Sequence, residues 1–121
     1  MIKNQDQAGQ FVHEQGIKTI EIVNEKHPIA SGFKGRLDVY TKISNTEYAT
    51  PGEQAAVIAT APDDKSKGMI FAYDNGTKDA NGEVAPARLV YYYVFYDSEG
   101  KISDDGWKIF ESTVKWASGM Q

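Results

Sequence analysis

The chain has 121 residues, contains no cysteine and carries a formal charge of −4. A single domain of this length buries about two thirds of the surface that its unfolded chain exposes, so it needs no disulfide to fold. The lack of cysteine excludes thiol nucleophiles, zinc–thiolate sites and iron–sulfur clusters. Acidic and basic residues are interspersed and leave no basic tract for a phosphate backbone, so nucleic acid is not an expected partner.

The sequence predicts neither a membrane span nor a secretion signal. No apolar run reaches the roughly 20 residues that a transmembrane helix needs. The polar start at residues 1–7 lacks the hydrophobic core of a signal peptide. We therefore expect no membrane partner, while the compartment stays open because a leader can be removed.

The first elements are interpreted as a short helix followed by a strand. Residues 1–16 carry a thin apolar stripe around Phe11 and Val12, which predicts a short N-terminal helix. Residues 18–23 alternate, with Ile20 and Ile22 on one face, which predicts a half-buried strand.

Four further strands are predicted from alternating, branched or aromatic runs between turn-forming segments. In chain order they are residues 36–41 with Ile43 as a further inward side chain, residues 54–60, residues 69–73 and residues 88–96. The intervening segments are interpreted as a turn or a single helical turn at 29–35, a loop at 44–53, a solvated turn at 62–68 and a polar loop at 74–82. The connections are too short for helical crossovers, so neighbouring strands are expected to be antiparallel.

The last of these strands is expected to be central. Residues 89–96 are apolar or aromatic at every position, which is typical of a strand covered on both faces. Tyr73, Tyr91 and Tyr93, with the two tryptophans, form either a sugar-stacking platform or, as favoured here, a core whose hydroxyls reach the rim.

A C-terminal helix is predicted over residues 104–118, with Ser103 as N-cap and Gly119 ending it. Its apolar stripe consists of Trp107, Phe110, Val114 and Ala117, flanked by Ile109, Thr113 and Trp116. The sequence therefore predicts one α/β (α+β) domain over residues 1–121. It has a mixed, largely antiparallel sheet of about five strands, covered by this helix and the short N-terminal one.

Five segments stand in an order that resembles a bacterial domain family. They are His27-Pro28-Ile29-Ala30-Ser31-Gly32-Phe33, Gly35 with Val39-Tyr40, Ile70-Phe71-Ala72-Tyr73 with Gly76, Ala85-Pro86-Ala87-Arg88, and Asp105-Gly106-Trp107-Lys108-Ile109-Phe110 with Val114-Lys115-Trp116-Ala117. This set resembles the C-terminal half of class I glutamine amidotransferase-like and trehalose-utilisation-type domains. The resemblance implies half of a flavodoxin-like domain, from a family often found in secreted proteins beside carbohydrate-active modules.

Two departures from that family limit the activity that the resemblance implies. The nucleophilic cysteine of amidotransferases belongs to the other half of such a domain, and this chain has no cysteine, so amidotransfer is excluded. Trehalose-utilisation-type relatives place a histidine shortly after the strand that Arg88 begins, where this chain reads Val94-Phe95-Tyr96.

Arg88, Tyr73, Asp74 and His27 are the candidate ligand-binding residues, and no residue is assigned a catalytic or metal-binding role. Arg88 either clamps an anion or forms a structural ion pair with Asp97 or Asp38, and the ion pair is favoured.

His27 either does acid–base or metal chemistry or, as favoured, hydrogen-bonds the backbone of its own turn; the other histidine is His13. The loop over residues 74–82 is rich in Asp, Asn and Gly and forms either a calcium cage or, as favoured, a set of turns.

Two functions remain in view. The first is a non-catalytic binding or assembly module without a cofactor, carbohydrate-associated through the resemblance. The second is a small hydrolase or sugar-modifying enzyme with a site built from Arg88, Asp74 and His27. Two helices cover little of a five-stranded sheet, so a homodimer that buries apolar sheet surface or joins edge strands is expected. The alternative is a monomer in which the helix of Phe11 and Val12 is cover enough. A carbohydrate or protein partner is a further expectation.

Overall fold

The computed structural model describes residues 2–3, 11–41, 44–62, 64–94 and 102–119. The strands are β1 (Ile2–Lys3), β2 (Phe11–Ile17), β3 (Thr19–Ile22), β4 (Gly35–Asp38), β5 (Ser44–Ala49), β6 (Ala56–Ala61), β7 (Asp64–Tyr73) and β8 (Leu89–Tyr92). A 3-10 helix at Pro28–Ala30 lies between β3 and β4, and the helix α1 (Asp104–Ala117) follows β8.

The eight strands of the described residues belong to one sheet. Six of them form a continuous path in the order β1-β8-β7-β6-β3-β4, and β2 and β5 join it through the pairing of β5 with β7. Every pairing is antiparallel except that of β1 with β8. The predicted class, a mostly antiparallel sheet with a C-terminal helix, is confirmed, but the sheet has more strands than the predicted five.

The predicted N-terminal helix is wrong where the structure describes it. Phe11–Ile17 is strand β2 and pairs with β5, so the predicted loop at residues 44–53 is also wrong up to Ala49. The partners are about thirty residues apart, with Phe11 opposite Ala49 and Glu14 opposite Thr46. Sheet pairing of this kind overrides a weak local helix pattern, because each strand supplies the other's hydrogen-bond partners.

The turn predicted at residues 62–68 is also shorter than expected. Strand β7 begins at Asp64, and Ala61 pairs directly with Asp64, so β6 and β7 form a tight hairpin. The expected alternation of β3 and β4 is confirmed, because Ile20, Ile22 and Leu37 are buried. Ile43, the further inward residue expected there, lies outside the described residues.

Strand β8 is internal, as expected for a strand without polar positions. It pairs with β7 on one edge and with β1 on the other, and Leu89, Val90, Tyr91 and Tyr92 are all buried. On one face, the rings of Phe71 and Tyr91 stack at 5.2 Å between centroids. Tyr73, Tyr91 and Tyr93 have no exposed surface, so their rings belong to the core and offer no platform for a sugar.

Helix α1 covers the opposite face of the sheet. Ser103 caps it, because its Oγ accepts a hydrogen bond from the Gly106 N–H at 3.0 Å, and Gly119 follows with φ of +80°. Both predicted ends are thus confirmed to within one residue.

The face that α1 buries differs from the predicted stripe. Gly106, Ile109, Thr113 and Trp116 are buried, whereas Trp107 and Val114 are 48% and 41% exposed. The buried stripe is therefore centred on the residues expected only at its flank. Packing on the 3-10 helix helps to set this rotation, since the Ser112 hydroxyl donates to the Pro28 carbonyl at 2.6 Å.

Candidate functional site

Three of the four candidate residues lie together at the C-terminal end of α1. Arg88 lies just before β8, Asp74 just after β7, and His27 at the start of the 3-10 helix. Arg88 and His27 contact the ring of Trp116, and Asp74 contacts Arg88. We call His27, Asp74, Arg88 and Trp116 the helix-end cluster.

Arg88 makes three contacts within this cluster. Its Nη1 donates to the Trp116 carbonyl at 2.9 Å, and its guanidinium lies 4.6 Å from the centroid of the Trp116 ring. Its Nε lies 3.6 Å from Asp74 Oδ1. A cation at the C-terminus of a helix is favourable, because the last carbonyls lack intrahelical partners and carry partial negative charge.

The expected structural ion pair of Arg88 is therefore present, but with a different partner. Asp38 instead lies 3.6 Å from Lys18 and accepts a hydrogen bond from Thr19 at 2.6 Å. Asp97 lies outside the described residues. Asp74 is the next residue after Tyr73 at the end of β7, and β7 pairs with β8 at Tyr73 and Leu89, which brings Asp74 beside Arg88.

His27 hydrogen-bonds its own turn, as favoured from the sequence. Its Nδ1 accepts from the Ile29 N–H at 3.1 Å, and its ring lies 5.0 Å from the ring of Trp116. Burial lowers the pKa of His27 below 6.5, the positive charge of Arg88 lowers it further, and the Asp74 carboxylate opposes both effects. The neutral imidazole is thus the form that the fold favours.

This lowered pKa gives a stability that depends on pH. As the pH falls below about 6.5, the unfolded chain binds a proton on His27 before the folded chain does, so the free energy of unfolding should decrease. The decrease should level off below the folded pKa of His27. His27→Asn is the matched control, because its amide oxygen still accepts from Ile29 but does not titrate. Urea denaturation between pH 5 and 8 measures the difference, and an equal slope in both proteins would contradict the assignment.

Tyr73 lies away from the helix-end cluster. Its hydroxyl accepts from the Gly52 N–H at 2.8 Å, below the loop that joins β5 to β6. Burial raises the pKa of Tyr73, and the hydrogen bond from Gly52 partly opposes this. A Cβ at Gly52 would lie 2.9 Å from both this hydroxyl and the Cα of Ala80, so the close approach of the two loops requires glycine.

A groove lies above this point, between residues 50–54 and residues 78–82. Its volume is about 590 Å³. We call it the loop groove. The sequence predicts a loop at residues 44–53 and another at 74–82, with residue 54 in a strand. It does not predict that they form the walls of one site, because no local pattern links segments about twenty-five residues apart.

The loop over residues 74–84 is held by turns of the kind expected from its composition. Asp79 Oδ1 accepts the N–H groups of Asn81 and Glu83 at 2.9 and 3.0 Å. Asp74 Oδ1 likewise accepts from the N–H of Asn75 at 2.8 Å. Within the part of the chain that the structure describes, no three His, Asp or Glu side chains converge as metal ligands. The turn interpretation accounts for these acids without a cation.

Comparison of the chain with protein-family models, curated proteins and solved structures finds no match. Across the described residues, no helix has the length and apolar character needed to cross a membrane.

Proposed function

We propose that this chain is a non-catalytic binding or assembly module, associated with carbohydrate as the resemblance to amidotransferase-like domains implies. The observation that carries the proposal is the use of the helix-end cluster. Arg88 directs Nη1 and Nε at Trp116 and Asp74, and the Nδ1 of His27 accepts from Ile29, so these atoms serve contacts within the protein itself. A general acid or base instead needs a polar atom within reach of a substrate.

The alternative is a small hydrolase or sugar-modifying enzyme with its site at the same strand ends. Such an enzyme needs a nucleophile or an activated water next to its base. The Nδ1 of His27 already accepts from the Ile29 N–H at 3.1 Å, so this nitrogen is occupied within its own turn. We therefore favour the binding module.

Hydrolysis assays on ester, glycoside and amide substrates with chromogenic leaving groups test this choice. We expect no turnover above that of buffer. The decisive variants are Arg88→Lys and His27→Asn, which keep a cation and a hydrogen-bond acceptor, respectively. Turnover that either variant abolishes while the thermal transition is retained would establish the enzyme and overturn the binding module.

The identity of the domain as half of a flavodoxin-like, amidotransferase-like unit also remains a proposal. Its support is the order of the five sequence segments, which runs from His27 to Ala117. Such a half would pair with further chain elements or with a second copy.

The homodimer is retained as a proposal, with a different surface from the one expected. The aromatic face of the sheet is already buried within one chain, whereas Trp107 and Val114 are exposed on α1. Two antiparallel copies of α1 related by a twofold axis would place Trp107 against Val114, and the acidic start of each helix, Asp104 and Asp105, near Lys115 of the other. Charge and apolar surface are then both complementary.

Sedimentation equilibrium at micromolar concentration tests the dimer. We expect a mass of twice 13.4 kDa that falls to 13.4 kDa in Trp107→Asp, because a carboxylate cannot be buried unpaired at that interface. Lys65→Asp, on an exposed position of β7, is the control and should leave the mass unchanged. A wild-type chain that is monomeric throughout the range would refute the dimer.

A further inference from the structure

We infer that the loop groove is the ligand site and that its ligand is a neutral, hydroxyl-rich molecule of the saccharide type. This inference rests on the proposed binding function and assigns it a place and a ligand class. The groove lies where the Tyr73 hydroxyl holds Gly52, and its lining includes no residue of the helix-end cluster. Ligand binding there would leave the contact between Arg88 and Trp116 in place. Its volume of about 590 Å³ falls in the range of roughly 300–1,000 Å³ that small-molecule sites occupy.

Hydrogen bonds fix both walls of the groove before any ligand binds. Gln54 Oε1 accepts from the Lys78 N–H at 2.6 Å and so joins one wall to the other. The Tyr73 hydroxyl holds Gly52 from below, and Asp79 Oδ1 holds the opposite loop through two backbone N–H groups. A pre-formed site loses less conformational entropy on binding than a flexible one.

The charges of the lining argue against an ionic ligand. Glu53 and Asp79 contribute two carboxylates and Lys78 one ammonium, so the lining has a net charge of −1. A phosphate or carboxylate ligand would be repelled by the two acids. A metal ion would compete with the backbone N–H groups that already occupy Asp79 Oδ1 and would lie beside the Lys78 cation.

A polyol matches the same groups without an ionic penalty. Each of its hydroxyls both donates and accepts, so one can donate to Glu53 or Asp79 while a neighbour accepts from the Lys78 ammonium. Hydrogen bonds to charged groups are stronger than those between neutral groups. They therefore offset the hydrogen bonds to water that a neutral ligand loses on binding. The ring of Pro51 and the methyl group of Ala80 supply apolar surface for the C–H groups of a sugar.

Tyr91 lies next to Tyr73, the residue whose hydroxyl holds Gly52. The hydroxyl of Tyr91 is buried and has no hydrogen-bond partner among the described residues. Its ring meets that of Tyr73 edge-on at 5.8 Å, and burial, followed by the charge of Asp79, raises its pKa to about 12. Tyr91 therefore stays protonated at neutral pH.

The test uses NMR titration of the full chain, with amide shifts as the readout. The probes are cellobiose and maltose, their hexasaccharides, inorganic phosphate and calcium chloride. We expect the disaccharides or hexasaccharides to shift the amides of Gly52, Gln54, Lys78 and Ala80, and phosphate and calcium to leave them unchanged. Binding of the hexasaccharide alone would identify a polysaccharide as the source, and equal binding of the disaccharide a free sugar.

Two variants alter the groove without altering its backbone. Lys78→Met removes the ammonium but keeps the main-chain bond to Gln54, and Asp79→Asn keeps an oxygen for the two N–H groups but removes the charge. Each should weaken saccharide binding about tenfold, the size of one hydrogen bond to a charged group. Lys65→Met on β7 is the control and should bind like wild type.

Three results would overturn the inference. Saccharide shifts that lie outside the groove and survive in Lys78→Met would place the site elsewhere while leaving the binding module intact. Shifts of the groove amides by phosphate or calcium would reject the neutral ligand class. The absence of any saccharide shift would reject the groove as a sugar site. None of these results depends on enzymatic turnover. Turnover in the hydrolysis assays is the separate result that would refute the binding module.

Discussion

Removal of residues 103–121 is expected to abolish cooperative folding. The deletion takes away α1, whose buried side chains include Ile109 and Trp116, and exposes the sheet face on which Tyr92 meets Phe110 at 5.7 Å. Each large apolar side chain that is fully buried contributes about 1.5–3 kcal/mol, against a total stability of about 5–15 kcal/mol for a domain. The loss of Ile109 and Trp116, together with the exposure of the sheet side chains that α1 covers, is therefore comparable with the whole stability.

Circular dichroism on heating, with dye binding at 25 °C, measures this effect. A control deletion of residues 120–121 keeps α1 and Gly119 and should melt like the full chain. A sharp thermal transition in the longer deletion would show that the sheet is stable without its helix and that α1 has been given too large a role.

Gly106→Ala is expected to lower the free energy of unfolding by about 1–3 kcal/mol, although alanine is the better helix former. A Cβ at position 106 would lie 2.5 Å from the carbonyl oxygen of Val39 and 2.8 Å from Ile102. That carbonyl has little freedom to move, because it accepts from the Ser103 N–H at 2.9 Å. The Ser103 hydroxyl also donates to the Asp38 carbonyl at 2.7 Å, which fixes β4 to the start of the helix. The clash therefore outweighs the helix propensity, which favours alanine by about 1 kcal/mol.

Lys108→Ala, at an exposed position two residues further along α1, is the matched control and should change stability little. Urea denaturation of the two variants gives the comparison. A stabilised Gly106→Ala protein would mean that α1 does not approach the end of β4 as closely as described.

The sequence predicted best the elements whose signals are local. The alternation around Ile20 and Ile22 and the cap residues Ser103 and Gly119 each act within a few residues, and all are confirmed. Strands β2 and β5 carried no such signal, because their pairing joins residues about thirty positions apart. The apolar residues of α1 span a wide arc, so the sequence alone does not determine which face of the helix is buried. The face that α1 buries brings Gly106 close to Val39 and Ser112 close to Pro28. Both partners are distant in sequence from the helix.

The candidate residues were predicted singly, and their grouping was not. Arg88 and Asp74 come together because β7 and β8 are neighbours in register, and His27 joins them only through Trp116. The helical pattern predicts Trp116 at the flank of the apolar stripe and indicates no contact with Arg88. The loop groove was missed for the same reason, because Gln54 and Lys78 are 24 positions apart in the sequence and meet only in the folded chain.

The central claim, that the helix-end cluster holds α1 in place, is tested most directly by amide hydrogen exchange at residues 113–117 in Arg88→Met. The charged hydrogen bond from Arg88 to the Trp116 carbonyl is expected to be worth about 1.5–3 kcal/mol, so exchange there should become faster and global stability should fall by a similar amount. Asp74→Asn, which removes only an ion pair with an exposed acid, should cost less than about 1 kcal/mol. Unchanged exchange at the end of α1 in Arg88→Met would contradict the claim, and Arg88 would then be a candidate ligand-binding residue.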